Sequence, residues 1–231
     1  MSLETHNIRI NRRLVELGLV NSRRKADEMI DMGLVSINGK TAQLGDIVKP
    51  SDQIKLEGKT GTIRDDITLL FNKPKGYICS HDKQGSVPTI FSILPKKFRN
   101  LKISGRLDKD SQGLVILSSD GDLINKLSHP SSDKLKTYSV EINKPLEHRD
   151  KKRLMNGVIL TDGVSTFINL KSVTSKQIRF SLTEGRNRQI RRTLSQLGYK
   201  VIKLERIAIG DYKLESIPLG KYVFANIKSN G

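Results

Sequence analysis

Ile10, Leu14 and Leu17 recur at the spacing of one helical face, and Gly18 stops the run. Asn21 or Ser22 is placed to cap a second helix, SRRKADEMIDM, which Gly33 ends. The pattern then changes to short strand-like pieces, LVSIN, DIVKP and DQIKLEG, with Asn38-Gly39 as a tight hairpin signal. GKTGTIRDD, residues 58–66, is weakly apolar and turn-prone and is expected to be a linker. The cut predicts a small domain over residues 1–60 and a larger one over 61–231.

Beyond the linker, strand patterns dominate: ITLLFN, GLVILSS, KTYSVEIN, STFINL, QIRFSL and YKVIKLERIAIG. The dipeptides Asp120-Gly121 and Asp162-Gly163 read as turns, and helical patterns cover residues 121–128, 147–155 and 187–197. Strands outnumber helices without regular alternation. This predicts an α+β fold whose mixed sheet is mostly antiparallel, not a parallel α/β one.

Charge narrows the class of partner. The 231 residues carry a formal net charge of +17, with Lys+Arg 41 against Asp+Glu 24, a surplus that suits a polyanion far better than a small neutral metabolite. Most of the excess lies in residues 61–231. In residues 9–25, however, six basic side chains face only Glu16. Nucleic acid is the expected partner, and no long amphipathic basic helix points to a membrane surface. One cysteine, Cys79, allows no intrachain disulfide. The N-terminal segment lacks the apolar stretch of a signal peptide, and no run is long enough to span a bilayer, so a cytosolic protein is expected.

The segment GRLDKDSQGL, Gly105 to Leu114, sets Asp108 between Arg106 and the turn at Gly113. Cationic surroundings favour an ionised carboxylate that can act as a nucleophile, but Asp108 and Asp110 could equally cap backbone amides of a turn. A calcium loop would need a glutamate where Ser119 stands. In GRNRQIRRTLSQLGYKV, Arg188, Arg191 and Arg192 fall at i, i+3 and i+4 and cluster on one side of a helix, with Ile190 at its boundary. Arg186, Arg188 and Arg192 read as RNA-facing rather than catalytic. Tyr138, in a strand pattern, is by itself as compatible with a core as with a site. His6, His81, His129 and His148 have no metal-ligand spacing, and no HExxH or GxSxG occurs. No metal site and no catalytic triad is expected.

In their order, FNKPKG (Phe71 to Gly76), GRLD, Lys136-Thr137-Tyr138 and EGRNRQIRR (Glu184 to Arg192) resemble the motifs of the RsuA/RluB/RluE/RluF family of RNA pseudouridine synthases. NSRRKADEMIDMGLVSINGK followed by LGDIVKPSDQIKL is similar to the S4 RNA-binding module. The resemblance implies an isomerase that needs no cofactor, with a central cleft in the larger domain. Carried over residue by residue, it implies Asp108 as nucleophile, Arg191 as its ion-pair partner, Tyr138 against the base and Ile190 as the base's apolar neighbour. Arg106 would hold the flipped-out nucleotide, and Lys73, Lys136, Arg188 and Arg192 would bind substrate. In the S4-like module, Arg23, Arg24 and Lys25 would lie near phosphates, though the same three could form only a solvated first turn. GDLINKL, LGYKVIKLER and IPLGKY look most like the RluF branch, which implies 23S ribosomal RNA, and a tRNA in addition, as substrate for a monomer. Two rivals remain at this level. One is a non-catalytic S4-type RNA-binding or ribosome-assembly protein, and the other a nucleoside hydrolase, which would need a second carboxylate as acid.

Overall fold

The computed structural model describes residues 7–62, 66–128 and 134–225. The chain divides into two compact units, through Asp65 and from Asp66 onward. His6 and His129 lie outside the described residues, as do residues 63–65 of the expected linker.

The first unit runs β1 (Ile8–Arg9), α1 (Ile10–Glu16), α2 (Arg23–Asp31), β2 (Val35–Ile37), β3 (Lys40–Thr41), β4 (Ile47–Val48), β5 (Ile54–Leu56) and β6 (Lys59–Thr60). Ser22 is the cap of α2; its side chain accepts from the Lys25 amide. Asn38 and Gly39 both take positive φ, 50° and 84°, and turn β2 into β3. Glu57 and Gly58 do the same for β5 and β6. The linker expected from Gly58 therefore starts too early, since Lys59–Thr60 still belongs to the sheet. A glutamate in a left-handed turn is what obscured this hairpin. Ile10, Leu14, Ala26, Ile30, Val35, Val48 and Ile54 form the unit's core.

In the second unit the elements are β7 (Thr68–Lys73), β8 (Lys102–Ser104), β9 (Gln112–Ser118), α3 (Gly121–Ser128), β10 (Lys136–Ile142), α4 (His148–Asn156), β11 (Val158–Leu160), β12 (Gly163–Ser165), β13 (Ile168–Ser172), β14 (Gln177–Leu182), α5 (Gln189–Gln196), β15 (Val201–Ile209), β16 (Tyr212–Lys213) and β17 (Tyr222–Phe224). Among the described residues they form a mixed sheet in the order β13-β14-β10-β15-β9-β7-β17, with β8 paired to β9 and β16 to β15. Every pairing in it is antiparallel except β15 with β9. The architecture is α+β.

All seven residues of β9 are buried. The period of two sends Val115 and Leu117 into one core and Leu114 and Ile116 into another on the opposite face. The uninterrupted apolar run GLVIL is thus the signature of a central strand covered on both sides. At its start, β9 meets β15 in parallel, Gly113 opposite Arg206. A Cβ on Gly113 would come within 2.3 Å of the Arg206 carbonyl oxygen, and its φ is 112°. This closest approach of the two strands puts the loop before β9 beside the strand that carries Arg206.

Two sequence expectations change. Asp120-Gly121 opens α3, with Asp120 Oδ1 accepting from the amides of Asp122 and Leu123. STFINL is not one strand, because Phe167 leaves the ladder between β12 and β13 to stack on Phe180 with ring centroids 3.8 Å apart.

Candidate active site

The loop of residues 105–111 is held by its own carbonyl oxygens, each reached from a distant part of the chain. Arg206, 1% exposed, donates through Nη2 to the Gly105 carbonyl and through Nε to Leu114 O at 2.8 Å. Lys73, fully buried, donates to Asp108 O at 3.0 Å, Ser111 O at 2.7 Å and Pro74 O at 3.1 Å. The Gly76 amide donates to Lys109 O and Arg191 Nη2 to Asp110 O. The Leu107 amide approaches Cys79 Sγ at 3.4 Å. With its backbone tied at so many points, the loop presents the Asp108 side chain without any help from that side chain's own bonds.

Asp108 opens onto a cavity of about 350 Å³ lined also by Arg106, Ser111, Tyr138, Leu182, Arg188, Gln189, Ile190, Arg191 and Leu204. The apolar members come from β10, β14, β15 and α5 and belong to the core, so one wall is rigid. Tyr138 is 5% exposed and stacks toward Phe180. The volume fits a single nucleoside-sized ligand.

Seven of the residues singled out in the sequence meet here: Asp108, Tyr138, Arg191, Arg106, Ile190, Arg188 and Arg186. Their pairing differs from expectation. Arg191 carries its charge to Asp110, with Nε 3.2 Å from Oδ2, and no ion pair joins it to Asp108 among the described residues. The cation nearest Asp108 is Arg188, at 4.0 Å. Arg188 in turn forks onto Asp110, Nη1 to Oδ1 at 3.2 Å and Nη2 to Oδ2 at 3.0 Å. The reason lies in the backbone. Arg188 is not in the helix but precedes it in a left-handed conformation, φ 46°, which turns its side chain across the loop. Burial alone would raise the Asp110 carboxyl, but the Arg188 hydrogen bond and the charges of Arg191 and Arg188 hold it below the ordinary carboxylate range. The Asp110 bond raises Arg188.

Lys73 and Lys136 are corrected from substrate contacts to internal supports. Both are buried, and Lys136 donates to Thr183 O at 3.1 Å. Burial pushes the Lys73 ammonium down to about 8, and also lowers Lys136, with Arg206 adding to the latter. Arg192 and Arg186 share Asp162 at the β11–β12 turn, Arg192 bidentately at 2.9 and 2.6 Å. Arg192 borders a second, more open concavity of about 430 Å³ with Leu160, Thr161, Arg191, Ser195 and Gln196. Arg23, Arg24 and Lys25 form the exposed first turn of α2 in the other unit, where Lys25 pairs with Glu28 at 2.8 Å.

Sequence reasoning missed Arg206 and set Asp110 aside. The signal for Arg206 was a cation inside the apolar alternation of β15. For Asp110 there was none beyond its closeness to Asp108.

A loop-borne carboxylate over a nucleoside-sized, arginine-rimmed cavity can do covalent chemistry on a nucleotide. The profile of the RNA pseudouridylate synthase family matches residues 67–196, the span that builds this cavity apart from β15. The chain belongs to the RNA pseudouridine synthases. It is accordingly an isomerase that converts uridine to pseudouridine in RNA. The S4 domain profile matches residues 8–54, the first unit. The chain is 39% identical over 223 residues to the dual-specificity RNA pseudouridine synthase RluF of Escherichia coli (strain K12), covering 95% of this chain and 76% of that one. To ribosomal large subunit pseudouridine synthase B of Yersinia pestis it is 33% identical over 221 residues, 90% of this chain and 70% of that one. The fold is similar to a crystal structure of a pseudouridylate synthase, with TM-score 0.67, 30% identity and coverage of 94% and 96%. Among the described residues no helix of this synthase is long and apolar enough to cross a membrane.

Proposed function

We propose that this synthase modifies a uridine of large-subunit ribosomal RNA and, as a second substrate, a tRNA, with Asp108 as its nucleophile. The observation that carries the assignment of Asp108 is its presentation by a backbone-clamped loop into the cavity that Tyr138 and Ile190 wall. The name of the Yersinia pestis relative supports large-subunit ribosomal RNA, and the dual specificity in the name of the Escherichia coli one supports a second RNA substrate.

The reaction needs no outside reagent. Asp108 bonds to C1' as N1 of uracil leaves that carbon; uracil turns within the cavity, and its C5 then bonds to C1' while the bond from C1' to the carboxylate breaks and frees Asp108. The proton lost from C5 is balanced by the one gained at N1. Tyr138 and Ile190 hold the base during its turn, and Arg106 steadies the extruded nucleotide. Extrusion costs a few kcal/mol, which contacts from a strongly basic chain to phosphates offset. Arg191 serves here as a tether of the nucleophile's loop. The synthase works as a monomer in the cytosol.

The test is incubation of purified protein with unmodified 23S ribosomal RNA and tRNA transcripts, followed by nucleoside analysis. Pseudouridine in both is expected. Intact binding with no pseudouridine would reduce the chain to an RNA-binding protein, and release of free uracil would make it a hydrolase.

For the first unit, Arg23 and Arg24 are taken to meet phosphates at the start of α2. Replacing both with Ala should flatten the plot of log K against log salt by about 1.5, near 0.7 to 0.9 per lost contact. The single-turnover rate at saturating RNA should not change. An unaltered slope would assign the pair to solvent.

A further inference from the structure

We infer that Asp110 is a positioning residue of the isomerisation: it holds Arg188 and Arg191 beside Asp108 while keeping the first from closing on the nucleophile or passing to an RNA phosphate. The inference rests on the reading of Asp108 as nucleophile and adds to it the device that sets the charge around that carboxylate.

A carboxylate at the mouth of an RNA site repels the substrate, so its presence there calls for a compensating role. Asp110 is 45% exposed at the side chain, in a chain of net charge +17 whose substrate is a polyanion. It does not face solvent alone. Both of its oxygens take the fork of Arg188, and Arg191 holds its carbonyl through Nη2 at 3.1 Å, with Nε 3.2 Å from Oδ2. Arg191 Nε is buried and makes no hydrogen bond, so among the described residues this carboxylate is the one anion paired with it. Arg188 keeps a left-handed backbone that a residue with a Cβ disfavours, and its side chain makes no capping bond to α5. Its two bonds to Asp110 are what fix the side chain in place.

The consequence falls on Asp108. A guanidinium forked onto a carboxylate occupies a lone pair on each oxygen and so weakens the attacking one as a nucleophile. At 4.0 Å, Arg188 supplies positive charge to Asp108 without that occupation. Asp110 enforces the separation, because the same guanidinium cannot fork onto both acids.

The experiment compares the full chain with Asp110→Asn and Asp110→Glu, measuring single-turnover pseudouridine formation and the salt dependence of binding to one RNA. In Asp110→Asn, Arg188 is released to phosphate. Binding at low salt should tighten and its slope against log salt should steepen by about 0.7 to 0.9, while the rate falls at least about tenfold through lost alignment. Asp110→Glu keeps the charge and should recover the parent slope and most of the rate. A side chain that only supported the fold would weaken binding, leave the slope unchanged and lower the melting temperature, and that result overturns the inference. So does an Asn variant with parent rate. Were the parent itself to form no pseudouridine, the role of Asp108 would fail, and the slope alone would still decide whether Asp110 holds the arginine.

Discussion

Asp108→Asn is expected to bind RNA as tightly as the parent and to form no pseudouridine, a loss of at least about 10⁴-fold in single-turnover rate. An amide of the same shape cannot serve as the nucleophile. The fold should not register the change. The loop is anchored by the Asp108 carbonyl to Lys73, whereas the carboxylate's nearest cation among the described residues is Arg188 at 4.0 Å. At 36% side-chain exposure, a neutral isostere should shift stability by no more than about 0.5 kcal/mol. Filter binding, thermal melting and nucleoside analysis on one preparation separate the outcomes. A rate within a factor of a few of the parent would remove Asp108 from the chemistry.

The largest expected effect on stability is that of Lys73→Met. Methionine fills much the same volume but leaves the carbonyls of Pro74, Asp108 and Ser111 without this donor in a buried site. The cost should be about 3 kcal/mol or more, a drop in melting temperature of roughly 10 °C for a unit of this size. Catalysis should fall as well, because the same bonds set the height of Asp108 over the cavity. The difference depends on pH. The folded ammonium titrates at about 8 and the unfolded one near 10.5. Between those values the unfolded chain keeps a proton that the folded chain has released, so the parent gains stability relative to Lys73→Met as pH rises. Below about pH 8 the two forms carry the same proton and the gap is constant. Melting the pair from pH 7 to pH 10 checks both statements, and a variant that melts within about 2 °C of the parent at pH 7 would refute the support role.

These expectations show how unevenly the site could be read from the chain. Asp108 stood out as a carboxylate between an arginine and a glycine turn in a basic sequence, but its residues alone left nucleophile and turn cap equally open, and only the resemblance of the motifs implied the first. The helices and most strands were legible because their apolar periods, 3.6 and 2, are local. Lys73 was visible only as part of a motif, and its motif suggested a ligand contact. Nothing in neighbouring residues announces that an ammonium will be sealed beneath a loop 35 positions away. The same holds for Arg191. Helical spacing placed it beside Arg188 and Arg192, yet a single left-handed residue at Arg188 took that arginine out of the helix and changed which acid each one meets.

By itself, the order of residues determined the two-part organisation, the α+β class and the polyanionic partner. Each follows from short-range periodicity or from summed charge, which survive without a folded context. Tertiary structure alone decided that two lysines are internal props, that Arg206 clamps the loop, and that Asp110 rather than Asp108 receives the arginines. Those outcomes turn on distances of 3 to 4 Å between segments far apart in the chain, and a linear pattern carries no such distance.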